Sequence, residues 1–191
     1  MSGLSIDEVG RRQRALAQRL EAFGHWDRDT AGTRITARAL ADLPRGWTVQ
    51  HDVRLDAGVA DHVVVGPGGV FVVTTRSWSG RVNVVDGVLR QAGNVRGVHV
   101  PIDTAAAVAD LLDGKAAQQV HAVLCVARDG EVAGAAQGVL VCSAGTIRRL
   151  LLTRPTVLSR RQVRAVLRDL AAPDRGSAAS VVLQASSGPA A

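Results

Sequence analysis

Asp61, Thr74 and Arg76 are the side chains that could together work on a phosphodiester. A carboxylate can hold a hard cation. A hydroxyl is a weaker ligand and a hydrogen-bond partner, and a guanidinium steadies developing negative charge. Some element must bring them together, and the stretch Ala60–Gly80, ADHVVVGPGGVFVVTTRSWSG, is built to do so. Two β-branched runs, His62–Val65 and Val70–Val73, flank Gly66-Pro67-Gly68-Gly69. That is the pattern of two buried strands joined as a hairpin. With Pro67 and Gly68 at the centre of the turn, Val65 opposes Val70, Val64 opposes Phe71 and Asp61 opposes Thr74. Thr74 and Arg76 then share a face by the two-residue period of a strand. A Pro-Gly pair favours a type II turn at this point. His62 alternates to the other face, where packing or a hydrogen bond is its expected role rather than that of a base. Trp78, just past the second strand, either stacks on a base or covers the sheet edge. The glycines read as a turn, since nothing else of a phosphate-binding loop accompanies them.

The elements around this hairpin follow from capping and periodicity. Ser5 with Glu8 opens an expected helix carrying Leu16, Leu20 and Phe23, within an N-terminal extension over residues 1–29. A second helix is expected from Thr30 to Leu43, with Ile35 and Leu40 packing on a sheet and Pro44-Arg45-Gly46 as its stop. Trp47–Leu55 alternates as a strand. After Gly80, Asp86-Gly87 between valine-rich runs marks a second hairpin. A helix is predicted after Pro101, from Asp103 to Leu112, then strands at His121–Ala127 and Gly138–Ser143. Ser143 caps a short helix bearing Ile147, Leu150 and Leu151. Ser159 with Gln162 caps a last one, whose Val163, Val166, Leu167 and Leu170 face inward. Arg160, Arg164 and Arg168 share its opposite side, beside Arg148, Arg149, Arg154 and Arg161 in sequence, and form the best candidate nucleic-acid-binding surface. Ala, Ser, Gly and Pro dominate residues 171–191, which read as a mobile tail. The order of elements predicts an α/β fold with a mixed sheet, one domain spanning residues 30–170.

Composition narrows the classes. The 191 residues are 47% hydrophobic, so the chain as a whole is not of the disordered class. It contains no apolar run long enough to cross a bilayer, so no membrane insertion is expected. Charges occupy the place where a signal peptide needs its apolar region, and a cytoplasmic protein is expected. The formal net charge is +6, and of 23 basic residues only Lys115 is a lysine. Arginine forks onto phosphates and carboxylates, which admits anionic partners, although a general Arg-for-Lys bias gives the same composition. Cys125 and Cys142 lie in apolar runs without metal-ligand spacing and are expected to be buried thiols.

GTRITARAL, then WTVQHDVRL, then VADHVVVGPGGVFVVTTRSWSGRV resembles the nuclease-related domain (NERD), a branch of the PD-(D/E)XK nuclease-like fold. The resemblance covers about residues 31–92 well and continues weakly to about residue 127. It implies a restriction-endonuclease-like core in which a mixed central sheet is flanked by helices. It also implies a site where carboxylates hold Mg²⁺ and a lysine assists. The family's Asp-His pair falls on Asp61-His62. Its helix Glu falls on Thr33, after Gly32, and its Glu-x-Lys falls on Thr74-Thr75-Arg76. A Gln following a proline falls on Thr104. One acid is therefore kept, three positions have become threonine and the lysine has become arginine. The expected function is that of a catalytically impaired nuclease-related domain that binds DNA, RNA or a protein partner. Two alternatives stand beside it. One is an active Mg²⁺-dependent endonuclease whose ligands have moved, with Asp52 or Asp56 turned inward beside Asp61. The other is a structural or regulatory interaction module.

Overall fold

The computed structural model describes residues 30–55 and 58–171. The helix expected from Ser5, Asp56 and the tail beyond Ala171 lie outside the described residues.

The valine runs pair in the register their pattern predicts. Strands β2 (Gly58–Gly66) and β3 (Gly69–Arg76) are antiparallel, with Val65 opposite Val70, Val64 opposite Phe71 and His62 opposite Val73. The turn differs from expectation in one respect. The positive φ falls on Gly69, at 128°, while Gly68 stays out of that region, so the turn is not type II. Glycine is required at Gly69 for space as well, because a β-carbon there would stand 2.8 Å from the Gln119 carbonyl oxygen.

Strand β1 (Thr48–Leu55) pairs antiparallel with β2 on the outer side. On the other side β7 (Val120–Val126) runs parallel to β3, and β9 (Val139–Ser143) runs parallel to β7. Strand β8 (Ala133–Ala136) closes the sheet antiparallel to β9, giving the order β1-β2-β3-β7-β9-β8. A parallel pair needs a long crossover. The one from β3 to β7 carries a separate three-stranded sheet of β4 (Val82–Val85), β5 (Val88–Gln91) and β6 (Asn94–Val95). It also carries helices α2 (His99–Asp110) and α3 (Gly114–Ala117). Asp86 and Gly87 both take positive φ, 51° and 72°, as the tight β4–β5 hairpin requires.

Helices cover both faces of the large sheet, which is why its strands read as unbroken hydrophobic runs. On one face Ala105 and Val108 of α2, with Val163 and Val166 of α5 (Arg160–Ala171), pack on Val63, Val65, Val70 and Val72. On the other face Leu40 of α1 (residues 30–41) and Ile147 and Leu151 of α4 (Ala144–Leu152) pack on Val64, Phe71, Val73 and Cys125. The small sheet covers Leu124, Val126, Val139 and Val141 at the far end. Each valine buried in these layers contributes about 1.5–3 kcal/mol relative to exposure, so the hairpin anchors the fold.

Several expectations need correction. Ile35 is 41% exposed, and the neighbouring Thr36 is buried in its stead. Helix α2 starts at His99, with Pro101 inside its first turn, where a missing N–H costs no hydrogen bond. Strand β8 and helix α3 were not foreseen, because AGAA and GKAA carry neither β-branched residues nor an apolar stripe. Cys125 and Cys142 are buried free thiols, and they are direct register partners on β7 and β9.

Candidate functional site

The candidate residues of the hairpin gather at the end of β3. Asp61 and Thr74 lie just past the last ladder pair of the hairpin, His62 with Val73. The Asp61 Oδ2 accepts the backbone N–H of Thr75 at 2.7 Å. One carboxylate oxygen thus holds the strand end together, which ties the side chain to structure. Thr74 is 6% exposed and its neighbour Thr75 1%. Arg76 is half-buried, and its Nη1 donates to the Thr75 carbonyl at 2.9 Å. Thr104 is likewise engaged, its hydroxyl donating to the Val100 carbonyl at 2.7 Å within α2.

Alternation sends the neighbouring side chains to the opposite face. The Thr75 hydroxyl donates to the Thr36 hydroxyl of α1 at 3.2 Å, and the latter reaches the Cys125 sulfur at 3.6 Å. Gly32 permits this approach of α1, since a β-carbon there would collide with the Ser77 side chain. Thr33 follows it at the start of the helix, half-buried, with its backbone near His62.

His62 is fully buried, and its Nδ1 lies 2.8 Å from the Nδ1 of His51, its register partner on β1. One ring donates and the other accepts. Its Nε2 has no hydrogen-bond partner among the described residues. Burial first, and then the charge of His51, push its pKa down from 6.5 to about 4, against the weaker opposing pull of Asp52 and the Thr33 backbone. His62 is a neutral core histidine at physiological pH.

Asp52 stands between the His51–His62 and Val53–Ala60 pairs, hence opposite Asp61, but the ladder breaks there because Asp52 takes a φ of 52°. The side chain is exposed. Among the described residues, no three His, Cys, Asp or Glu side chains gather into a group that could hold a metal ion. Mg²⁺ takes near-octahedral oxygen coordination, usually with one or two carboxylates beside water and substrate oxygens. Among the described residues, Asp61 brings one carboxylate to this strand end, with one oxygen engaged by the Thr75 N–H.

The other candidate residues lie elsewhere. Trp78 is half-buried against the core beneath the small sheet, with the Arg96 guanidinium 5.9 Å from its ring centre. Arg160, Arg164 and Arg168 are exposed along α5, whose start is capped by the Ser159 backbone N–H donating to Gln162 Oε1 at 2.9 Å. The Pro67 carbonyl accepts from the N–H of Val157 at 2.8 Å and of Leu158 at 3.0 Å. These bonds fasten the start of α5 to the turn of the central hairpin. Arg160 and Arg164 therefore sit at the turn end of β3 and Arg76 at the other, separated by roughly 20 Å or more of strand. The structure does not bring the two sets together. It does bring Arg45 to the α5 arginines, where all three line one groove with Pro67. Arg45 looked like part of a helix stop and gave no other signal. Arg149 is withdrawn from the basic surface by an ion pair with Glu131.

The family model for the nuclease-related domain matches residues 28–127, just over half of the chain. Neither curated proteins nor solved structures yield a match. An α/β core with a mixed six-stranded sheet between helices accords with that family's nuclease-like architecture. The chain belongs to the nuclease-related domain family.

Proposed function

We propose that this nuclease-related domain binds nucleic acid without cleaving it. The observation that carries the reading is the state of Asp61. It is the one acid kept from the family pattern, and one of its oxygens accepts the Thr75 N–H at 2.7 Å. Thr33 and Thr74 stand where partner carboxylates would be needed. A neutral hydroxyl does not replace a carboxylate as a ligand for a hard cation, and a guanidinium does not serve as a proton donor as a lysine amine can. What survives of the ancestral chemistry is attraction for phosphate, through Arg76 and the exposed arginines of α5.

The test is incubation of plasmid and single-stranded DNA with Mg²⁺ or Mn²⁺, beside a binding titration across salt. The reading predicts uncut DNA and an affinity that falls as salt rises, because phosphate contacts release counterions. Cleavage that disappears in Asp61→Ala would establish an active nuclease with relocated ligands. Absence of binding at every salt concentration would leave a structural or protein-interaction module.

A further inference from the structure

The groove beside the hairpin turn, at the opposite end of β3 from Asp61, has a volume of about 770 Å³. That falls within the size range of sites for small ligands, roughly 300–1,000 Å³. Its charged lining is Arg45, Arg160 and Arg164, and no described carboxylate lines it. All three arginines are exposed. Three guanidiniums lining one groove without a described acid favour an anion there. Arginine in particular forks onto phosphate oxygens. The rest of the lining combines apolar residues, Pro67, Leu158 and Leu167 among them, with Thr48, Thr156 and Ser159. A lining that carries both guanidiniums and apolar side chains suits a ligand with a phosphate and a flat, weakly polar ring.

We infer that this groove binds single-stranded nucleic acid, holding one or two nucleotides with phosphates on Arg45, Arg160 and Arg164 and a base against the apolar wall. A duplex satisfies only half of this, because its bases are stacked and paired, whereas a single strand offers free base faces. The groove is also anchored. The Pro67 carbonyl holds the N–H groups of Val157 and Leu158, so the α5 arginines and the hairpin turn keep a fixed spacing. Gly66 and Gly68 leave the room that Trp47 and Arg154 occupy behind the turn. The inference rests on the reading that the chain binds nucleic acid, and it moves the binding surface away from the ancestral site.

The experiment is fluorescence anisotropy of labelled oligothymidylate and of a labelled duplex with the full-length protein at several salt concentrations. Arg45→Ala with Arg160→Ala is compared with Arg34→Ala plus Arg38→Ala, which removes the same charge from the exposed side of α1. Circular dichroism checks that both fold. The groove pair is expected to lose tenfold or more in affinity for the single strand. Its slope of log K against log salt should flatten by about 1.4, at roughly 0.7 per lost phosphate contact. The α1 pair should change affinity less than threefold. Equal losses in both pairs, or an unchanged groove pair, would overturn the groove while nucleic-acid binding stands. A duplex bound as tightly as the single strand, and weakened as much by the groove pair, would overturn the single-strand assignment. No binding by the unaltered protein would overturn both the groove and the function beneath it.

Discussion

Asp61 has a structural task at the end of the hairpin. Its carboxylate accepts a backbone N–H that would otherwise have no strand partner at the end of β3. Leaving a buried donor without an acceptor costs about 1–3 kcal/mol. Asp61→Ala is therefore expected to lower unfolding free energy by that amount in urea denaturation, whereas an acid retained only for catalysis could be removed at no cost in stability. His62 yields a second prediction. Its folded pKa is lowered from 6.5 to about 4, so the unfolded chain takes up the proton first as pH falls. The stabilisation is complete above about pH 6.5 and is lost progressively down to about pH 4, by on the order of 3 kcal/mol. In His62→Gln the pH dependence of stability over that window should flatten; an unchanged slope would assign it to other groups. The sequence made His62 legible as a packed or bonded residue. It did not reveal His51 as its partner, because the turn signal at Ala57-Gly58 does not by itself fix the register between β1 and β2.

At the scale of elements, legibility followed side-chain pattern. The β2–β3 hairpin and its register were readable because the valines alternate onto two buried faces and a one-residue slip would invert both. Strand β8 was invisible because Ala133-Gly134-Ala135-Ala136 is held by its pairing with β9 and by close approach to Val84, with no pattern of its own. Thr36 was missed since a buried hydroxyl has no periodic signature; its partners, Thr75 and Cys125, come from two different strands. Gly69 permits a direct check. Its positive φ and the nearby Gln119 carbonyl leave no place for a methyl group. Gly69→Ala should destabilise the protein by more than about 1 kcal/mol, read as a lowered urea midpoint. The cap of α5 is a milder case. Ser159→Ala should cost about 1 kcal/mol and loosen the spacing of Arg160 from the hairpin turn.

At the scale of the molecule, Asp61 and Arg76 lie at one end of the hairpin, and the exposed arginines at the start of α5 lie at the other. The match over residues 28–127 accords with the family resemblance, which was visible in the sequence. The separation of Arg76 from Arg160 and Arg164 was not, because it needed the topology that docks α5 on the turn. On the proposed reading, Thr74→Glu with Arg76→Lys should give Mn²⁺-dependent nicking of plasmid DNA that the natural sequence is expected to lack. Failure to gain activity would place the loss in the backbone geometry around Asp61 as well. The central claim, binding without cleavage, is tested most directly in one sample. A labelled single-stranded oligonucleotide is titrated with protein in Mg²⁺ across a range of salt, and the DNA is then recovered on a denaturing gel. The predicted result is full-length oligonucleotide and an affinity that falls with a log–log slope of about −2, as three phosphate contacts require. Shortened oligonucleotide, or an affinity flat across salt, would contradict it.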